Sequence, residues 1–560
     1  MSMNTGDMSW GIEYEAVVVG AGFAGLYALH RLRDTLGLTV KVFDIAGDVG
    51  GTWYWNRYPG ARCDIESWHY SYSFSEELQQ EWTWSERFAG QSEILRYLQH
   101  VADRFDLRRD IQFDTAVIAA TYDEATDRWD IETDDGERTR ARYLISAVGN
   151  LSAIKEPDFA GVEQFSGPIY STARWPHEQI DFTGLRVGVI GTGSSGIQII
   201  PEIAEQAAHL TVFQRTANYA TPLRNIPLAR ARSDRIKASY RELRAPSRDS
   251  FGGLPYARAH GYALAATAEQ RQRVYEECWN EGGFAFFIGS FSDILSDREA
   301  NETAAEFIRA KIRERVTDPK TAELLVPRRY AYGTKRPPLE TNYYETFNLD
   351  HVDLIDVGKE PIAEITARGI QLGNTEYSLD TMIFALGFDA MTGPLLRMGI
   401  TGRAGRTLNE AWSAGPQTYL GLMTHDFPNL FMITGPQCPA AFSVTPIAIE
   451  NHVDWISDCI AYLRDHDAVS IEPTRHAQDR WVAHTNKLAE RTLLPSTNSW
   501  YTGANIPGKP RVCMVYTGSG SGYQTACREA ADEGYTGFHL RLLSSAPASG
   551  QQPTPATDTA

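Results

Sequence analysis

The stretch of sequence that decides the fold reads EAVVVGAGFAG and runs from Glu15 to Gly25. Its apolar first half is typical of a buried strand, and a G-x-G-x-x-G turn follows at Gly20, Gly22 and Gly25. Glycines at this spacing allow a tight turn, a close approach of the backbone to a pyrophosphate, and close packing of a helix on the strand. We expect an amphipathic helix to about Leu36, with its N-terminus facing the phosphates.

A second strand is predicted at Thr39–Phe43, and it ends at Asp44, 24 residues after Gly20. A carboxylate at this place can accept a hydrogen bond from a ribose 2′-hydroxyl. A glycine motif alone would be weak evidence for dinucleotide binding, since any glycine-rich turn can match it. Strand, helix, second strand and acid in register predict a Rossmann-like dinucleotide-binding unit.

A second copy of this unit begins at Leu185, where a predicted strand enters a turn that contains Gly191, Gly193 and Gly196. The residue 24 positions after its first glycine is Arg215 rather than an acid. An acid favours the free 2′-hydroxyl of FAD or NAD, whereas an arginine fork suits a 2′-phosphate. The sequence therefore predicts one FAD-like and one NADP-like site. The alternative interpretation of Arg215 is a surface arginine at a strand end.

The rest of the chain predicts an α/β fold with two Rossmann-like dinucleotide-binding domains and a helical insertion. The charged, alanine-rich sequence between the second unit and residue 331 is typical of helices. Two strand-like segments end in Ala-x-Gly, at Gly149 and at Gly387, and suit points where the chain crosses between the domains. The predicted boundaries are 12–150 and 386–543 for the FAD domain, 151–224 and 333–385 for the NADP domain, 225–332 for the insertion, and 544–560 for a disordered tail.

Composition excludes several classes of protein. The 560 residues are 42% hydrophobic, and 53 basic against 71 acidic residues give a net charge of −18. Such a chain is a poor partner for nucleic acid or for an anionic membrane surface, and no apolar run approaches the roughly 20 residues of a membrane span. The N-terminus has no basic region typical of a secretory signal. Six scattered cysteines form no Cys-x-x-Cys pair, so we predict no disulfide framework, no metal site and a reducing cytoplasm.

A dense mixture of glycines, aromatics and polar residues follows the first unit, from Gly50 to Ser67. An aromatic-walled pocket suits a flat ring system, although an aromatic core segment is also possible. This segment resembles the flavin-side motif of type I Baeyer–Villiger monooxygenases, as do Gly333–Pro337 and Asn498–Lys509. The resemblance extends from about Tyr14 to Leu542.

The family fingerprint F-x-G-x-x-x-H-x-x-x-W-[PD] is matched from Phe165 to Pro176 with one departure, since Ser171 stands where the family has histidine. The resemblance implies that this histidine supports the linker between the nucleotide domains. Serine offers one short hydroxyl and cannot take up charge near neutral pH. His177, six residues further on, could partly substitute, or it could be a surface loop histidine.

The resemblance implies a reaction in which FAD reduced by NADPH captures O2 as a C4a-peroxide. This anion attacks a ketone, and migration of one substituent gives an ester or lactone. Arg336 matches the family's active-site arginine, and a permanent cation suits both the peroxide and the polarised ketone oxygen. Asp64 matches the aspartate that orients it. The plainer alternative is a buried ion pair that only stabilises the fold.

The same resemblance implies two sets of cofactor contacts. Those expected at FAD are Gly20, Gly22, Gly25, Asp44, Thr52, Trp53, Trp55, Asp64, Tyr70, Val117 and Thr445. Those expected at NADPH are Thr192, Gly193, Ser194, Ser195, Gly196, Gln198, Arg215, Thr216, Lys335 and Trp500.

Three other functions compete with ketone oxidation. An N- or S-oxygenating flavin monooxygenase shares both units but needs no arginine at the flavin. A disulfide reductase needs a redox cysteine pair near the FAD strand, and Cys63 stands alone. A non-catalytic dinucleotide sensor is supported only by Ser171. The identity of the ketone and the oligomeric state stay open at this point.

Overall fold

The structure is a computed structural model that describes residues 12–249, 256 and 260–543, so the predicted tail at 544–560 lies outside the described residues. Its strands are β1 (Glu13–Val19), β2 (Val40–Phe43), β3 (Ile111–Gln112), β4 (Val117–Asp123), β5 (Arg128–Thr133), β6 (Arg138–Ser146), β7 (Ile169–Ser171), β8 (Arg186–Ile190), β9 (His209–Gln214), β10 (Thr221–Pro222), β11 (Leu339–Glu340), β12 (Val352–Asp356), β13 (Glu364–Thr366), β14 (Gly369–Leu372), β15 (Thr375–Ser378), β16 (Thr381–Phe384), β17 (Ile400–Thr401), β18 (Leu430–Met432), β19 (Ala468–Pro473) and β20 (Phe538–Leu542).

The α-helices connect and cover these strands. They are α1 (Phe23–Leu29), α2 (Thr52–Trp55), α3 (Glu76–Glu81), α4 (Gln91–Arg104), α5 (Ser194–Ala204), α6 (Arg230–Ala238), α7 (Tyr240–Asp249), α8 (Ala268–Glu281), α9 (Arg298–Arg315), α10 (Pro319–Leu325), α11 (Tyr343–Thr346), α12 (Gly393–Leu396), α13 (Leu408–Ala411), α14 (Thr445–Asp465), α15 (Arg475–Glu490) and α16 (Gly520–Asp532).

The first sheet has the strand order β17-β4-β5-β6-β1-β2-β3, and β18 also pairs with β6. Its centre is parallel: Val18 of β1 lies opposite Val42 of β2 and Ile145 of β6. The strands β4, β5 and β6 form an antiparallel meander at one side. The second half of β1, residues 16–19, is buried and entirely apolar, as expected for a strand covered on both faces, and the predicted strand is confirmed.

The second sheet is parallel throughout and has the order β12-β9-β8-β16-β7. Val189 of β8 lies opposite Val212 of β9 and Ile383 of β16. Strands from residues 169–214 thus join strands from 352–384, on either side of the helical insertion. Two sheets of this kind with helices between the strands confirm the predicted α/β fold with two Rossmann-like units.

Each sheet brings its glycine turn against the following crossing segment. Gly20 and Gly191 both have φ +110°, and a Cβ at either would lie 2.5 Å from a carbonyl oxygen, that of Ala147 or Ala385. These alanines begin the two Ala-x-Gly segments. Side chains are therefore excluded at both turns by the backbone that enters the neighbouring domain.

The first helix differs from its prediction in geometry. α1 ends at Leu29, and a π-helical turn continues from His30 to Thr35, so that Leu36 N–H bonds to the Arg31 carbonyl at 3.1 Å. The ring of His30 packs 4.7 Å from that of Phe105. Sequence periodicity predicts the extent of such a helix but does not distinguish an α-helical turn from a π-helical one.

Helices α6 to α10 make up most of the insertion. A short π-helical turn, Ala285–Gly289, follows α8, and the ring of Phe286 stacks on Phe307 of α9 at 5.5 Å. Among the helices that the structure describes, none is long and apolar enough to cross a membrane.

Candidate active site

The first glycine turn has no room for a side chain at two of its three glycines, Gly20 and Gly25. A Cβ at Gly25 would lie 1.7 Å from the Gly20 carbonyl oxygen, and one at Gly22 would touch the Gly51 Cα at 3.4 Å. Gly50 N–H donates to the Ala21 carbonyl at 3.1 Å. The loop before α2 therefore closes over the turn, and Thr52, the first residue of α2, lies beside it.

Asp44 lies at the end of β2 beside this turn, as the spacing predicts. Its carboxylate accepts hydrogen bonds from the N–H groups of Ala46, at 2.7 Å, and Ala21. Burial raises the pKa of Asp44, while these two bonds oppose the increase. The Asp44 carbonyl accepts from Thr115 N–H at 3.0 Å, which brings the start of β4 at Val117 close by. An acid, a bare glycine turn and a helix N-terminus together fit the nucleotide half of FAD.

Aromatic side chains line the path from that turn toward Asp64. Trp53 Nε1–H donates to the Tyr70 hydroxyl at 3.3 Å, and the Tyr70 ring lies 5.2 Å from Phe23 of α1. Trp55 packs edge-on against Tyr54 at 5.0 Å. Thr445, far along the sequence, is the first residue of α14. These aromatic side chains suit a flat ring system, and the charges of Asp64 and Arg336 act on the Tyr70 phenol at the end of the path.

The second glycine turn repeats the arrangement. A Cβ at Gly196 would lie 2.1 Å from the Gly191 carbonyl oxygen, and α5 begins at Ser194, followed by Ser195. Thr192 Oγ1 donates to the Thr216 carbonyl at 3.2 Å, which joins the turn to the end of β9. The backbone N–H groups at this helix start suit a pyrophosphate.

Three cations gather beyond that turn. Burial, and then the charge of Arg215, lower the pKa of both Lys335 and Lys155. Among the described residues, none of the three forms an ion pair with an acid within 4.0 Å. Like charges held together without an ion-paired acid favour an anion, and a 2′-phosphate fits. Sequence reasoning missed Lys155; its position, six residues after the crossing at Gly149, was the available signal.

Gln198 of α5 contacts the FAD side of the molecule. Its Oε1 accepts from the Tyr58 hydroxyl at 2.7 Å, and its Nε2 donates to the Arg62 carbonyl at 3.1 Å. The side chain thus joins the second dinucleotide unit to the flavin-side segment. Its contact with NADPH stays a prediction.

Arg336 and Asp64 meet as the sequence predicts. Arg336 Nε and Nη2 donate to the two carboxylate oxygens of Asp64 at 2.7 and 2.8 Å. Nη1 donates to the Ala441 carbonyl at 3.1 Å, and the guanidinium lies 4.7 Å from the centre of the Phe284 ring. Burial opposes the charge, but the attraction and hydrogen bonds of Asp64 outweigh it, so the pKa of Arg336 is raised. The guanidinium stays charged and held in one orientation.

The cysteine next to Asp64 is a buried, free thiol. Burial, and then the charge of Asp64, raise the pKa of the Cys63 thiol. All six cysteines are free, and five of them are buried. This arrangement agrees with the exclusion of a disulfide reductase.

The segment that holds Trp500 is anchored to the second crossing. Lys509 Nζ lies 2.5 Å from Asp389 Oδ1, and Asn505 Nδ2 donates to the Phe388 carbonyl at 2.9 Å. The Trp500 ring packs 4.3 Å from Tyr501, which is fully buried. Phe284 and Tyr501 were both missed by sequence reasoning, because aromatic residues in helical or loop text give no signal of where they pack.

The fingerprint segment lies at the edge of the second sheet. Ser171 ends β7, and its Oγ accepts from Ala173 N–H at 3.3 Å. Trp175 is buried against Tyr170, with ring centres 5.5 Å apart. His177 is exposed, yet its ring lies 5.0 Å from Tyr54 of α2. The histidine therefore touches the flavin-side segment from the linker.

One group of side chains among the described residues has the spacing of a metal site, namely His425, Asp426 and Glu472. Each already has partners: His425 Nδ1 lies 2.9 Å from the Pro473 carbonyl, and Glu472 pairs with Arg403 at 2.7 Å. The group lies in the C-terminal part of the chain, away from Arg336 in sequence. The sequence-based expectation of no metal stays a prediction.

Two glycine turns at the ends of parallel strands, one beside an acid and one beside three cations, define a protein that binds two dinucleotides. A family model described as flavin-binding monooxygenase-like (FMO-like) matches residues 14–221. A Baeyer–Villiger monooxygenase of Pseudooceanicola batsensis is 46% identical over 529 residues, which cover 94% of this chain and 96% of the relative. The chain belongs to the Baeyer–Villiger monooxygenase family.

Two further similarities bear on the site. A solved structure of oxidised steroid monooxygenase bound to NADP has a TM-score of 0.91 and 52% identity, and covers 94% of this chain and 99% of that one. Phenazine N-monooxygenase PhzNO1 of Lysobacter antibioticus is 43% identical over 530 residues, which cover 94% of this chain and 97% of the relative. Ketone and nitrogen oxygenation therefore both occur among similar proteins.

Proposed function

We propose that this protein is an FAD-dependent, NADPH- and O2-using Baeyer–Villiger monooxygenase that converts a ketone to an ester or lactone. The observation that carries the proposal is the Arg336 guanidinium, which Asp64 holds by two hydrogen bonds and which lies against the Phe284 ring. A fixed cation of this kind is required by ketone oxygenation and is not required for binding dinucleotides.

The cofactors are assigned to the two units by charge and shape. We propose that residues 12–150 and 386–543 hold FAD, and that 151–224 and 333–385 hold NADPH, with 225–332 as the insertion. The acid at Asp44 supports the first assignment and the cations at Arg215 and Lys335 support the second. The contacts proposed above from the family resemblance follow this division, and Lys155 is added to the NADPH set.

Bound FAD, once reduced by NADPH, supplies the activated oxygen. Arg336 would bind and polarise the ketone oxygen, and it would stabilise the negative charge that this oxygen takes up when the carbonyl carbon is attacked and keeps until the substituent migrates. Asp64 keeps the guanidinium plane fixed, and the Ala441 carbonyl holds its far nitrogen. Because the donors are in place before the reaction, no reorientation is needed in the transition state.

A ketone panel with product mass analysis tests the proposal. Purified, FAD-loaded protein is given NADPH, O2 and cyclic, linear or steroid ketones, and products are searched for a gain of one oxygen. Ketone-dependent NADPH oxidation with an ester or lactone product is expected. NADPH oxidation that yields only hydrogen peroxide with every ketone would contradict it.

A second candidate function is oxygenation of an aromatic nitrogen, which the 43% identity to the phenazine N-monooxygenase favours. The same panel, extended with phenazines, decides between them. N-oxide formation that survives replacement of Arg336 would support this candidate, since a nitrogen nucleophile needs no polarised carbonyl.

We also propose a location in the cytoplasm, which the six free cysteines support. Cell fractionation with detection of the protein and its thiols tests this.

A further inference from the structure

A second buried carboxylate lies two residues after Asp64, and the proposed reaction does not use it. Glu66 is 4% exposed. Its Oε1 accepts hydrogen bonds both from Arg87 Nη2, at 2.9 Å, and from the Tyr256 hydroxyl. Tyr256 belongs to the insertion, whereas Glu66 and Arg87 belong to the flavin-side part of the chain. One carboxylate thus fastens two distant segments together.

Arg87 extends this connection to the residue that lies against Arg336. Its Nη1 donates to the carbonyl of Glu281, the last residue of α8, at 2.7 Å. Gly282 and Gly283 follow in positive-φ conformations, and the next residue is Phe284. A Cβ at Gly283 would lie 2.9 Å from the Tyr256 hydroxyl and 3.0 Å from Phe88. The turn that presents Phe284 is therefore packed directly on Tyr256 and Arg87.

The opposite end of the connection sets the position of Asp64. Cys63 N–H donates to the Ala89 carbonyl at 3.1 Å, and Ser67 N–H donates to the Arg87 carbonyl at 2.8 Å. Hydrogen bonds before and after Asp64 thus join its segment to the extended segment that contains Arg87. Asp64 and Phe284, the two contacts of Arg336 from different domains, share one anchor.

We infer that Glu66, Arg87 and Tyr256 form a positioning cluster that fixes the Arg336 guanidinium by holding Asp64 on one side and Phe284 on the other. The three residues are positioning residues rather than catalytic ones, since none of them is bonded to Arg336. Burial raises the pKa of the Tyr256 phenol well above its ordinary value, so the hydroxyl remains a donor. The cluster is neutralised by Arg87, which satisfies the requirement that a buried carboxylate be paired.

The inference rests on the proposed function for its consequence in catalysis, but its structural content is tested independently. We would measure hydrogen–deuterium exchange of the peptide that contains Phe284, and the fraction of consumed NADPH that appears as oxygenated product, in FAD-loaded Tyr256→Phe and Glu66→Gln variants. The matched control is Tyr122→Phe, which removes a phenol–carboxylate bond of 2.8 Å to Asp127 in the meander of the first sheet.

Exchange at the Phe284 peptide should rise about three- to tenfold in both variants, the factor expected when one hydrogen bond is lost, and should stay unchanged in the control. The product fraction should fall while anaerobic reduction of FAD by NADPH stays within about twofold, because the nucleotide turns are untouched. Unchanged exchange in both variants would overturn the inference, as would an equal rise in Tyr122→Phe. If no ketone is oxygenated by the parent enzyme, the exchange result alone decides.

Discussion

At the scale of single residues, the centre of the site is the Arg336 guanidinium, which several segments of the chain contact. Arg336 takes its carboxylate from the flavin-side segment, its carbonyl partner from Ala441 and its ring contact from Phe284. These contacts come from parts of the chain that are far apart in sequence. A guanidinium with five donors in a rigid fork can satisfy such a set, and an ammonium cannot.

Replacing Arg336 by alanine should abolish ester formation while NADPH still reduces FAD. Removal of a preorganised charge donor costs on the order of 3–4 kcal/mol of barrier, which is a factor of 10²–10³. Oxygen consumed without product should appear as hydrogen peroxide. The measurement compares ester yield with peroxide release per NADPH.

Arg336→Lys is the control for charge alone. This variant should restore little of the ester yield, because a flexible ammonium lacks the planar fork that forms both bonds to Asp64. Ester yield close to the parent value in Arg336→Ala would remove the assignment of this residue and favour nitrogen or sulfur oxygenation.

Replacing Arg215 by alanine should weaken the binding of NADPH far more than the binding of NADH. A lost charged hydrogen bond to a 2′-phosphate is worth roughly 1.5–3 kcal/mol, whereas NADH has no such phosphate. Lys155→Met should act in the same direction. The ratio of KM values for the two nucleotides is the measurement, and an equal change for both would show that these cations do not read the 2′-phosphate.

At the scale of elements, the short β7 edge strand connects the fingerprint to the second sheet. Ser171→His should leave FAD content intact and alter mainly the rate of flavin reduction or the coupling of NADPH to product. In the part of the chain that the structure describes, the serine hydroxyl accepts one hydrogen bond, from Ala173 N–H, and a neutral bond of this kind is worth about 0.5–1.5 kcal/mol. Cofactor content and stopped-flow reduction rates check this. Loss of FAD would instead indicate that the position is needed for packing.

Helix α14 is joined to two loops and to α16 through a buried histidine. His452 Nδ1 accepts from Thr434 N–H at 2.9 Å, so Nε2 bears the proton and donates to the Tyr523 hydroxyl at 2.7 Å, which donates to the Leu420 carbonyl. Burial lowers the pKa of His452 to about 3. The folded protein therefore keeps this ring neutral.

This histidine should make the fold sensitive to acid. Above pH 6.5 it is neutral in both states; as the pH falls from 6.5 toward 3, only the unfolded chain binds the proton. Stability is lost over that window at up to about 1.4 kcal/mol per pH unit. The drop in Tm between pH 7.5 and 5.5 should be smaller in His452→Gln and unchanged in His476→Gln, an exposed control. Equal drops in both variants and the parent would exclude a role for this histidine.

At the scale of the whole molecule, the side chain of Gln198 connects the second dinucleotide unit to the flavin-side segment by two hydrogen bonds. Gln198→Ala removes its bonds to Tyr58 and Arg62, and we expect slower reduction of FAD at saturating NADPH with unchanged FAD content. Two neutral hydrogen bonds correspond to about 1–3 kcal/mol. Stopped-flow reduction is the measurement.

The matched control for this change is Gln478→Ala. Gln478 is also buried on a helix, and its Oε1 accepts from His425 N–H at 2.8 Å within the C-terminal part of the chain. Its loss should leave the reduction rate unchanged. Slowing that disappears at high NADPH concentration would place Gln198 at the nucleotide rather than between the units.

The sequence by itself determined the two dinucleotide turns. Glycine spacing is a local property of the chain. A glycine at position 20 or 191 allows the positive φ of the turn and the close approach of the crossing backbone, whatever the rest of the fold. The acid at Asp44 and the base at Arg215 follow each turn at a fixed distance along the chain. The arginine and its aspartate, in contrast, were identified through the resemblance of their motifs to a known family.

Only the tertiary structure decided which other residues complete the site. Lys155 and Phe284 lie in ordinary loop or helical sequence, and the buried Glu66 lies in the motif segment from Gly50 to Ser67. Neither periodicity nor the motif indicates which distant segment these residues meet. The same holds for Gln198, which the motif assigns to a nucleotide and the fold also uses as a bridge. Contacts between segments hundreds of residues apart depend on how sheets, insertion and crossings pack, because burial and charge pairing act in three dimensions rather than along the chain.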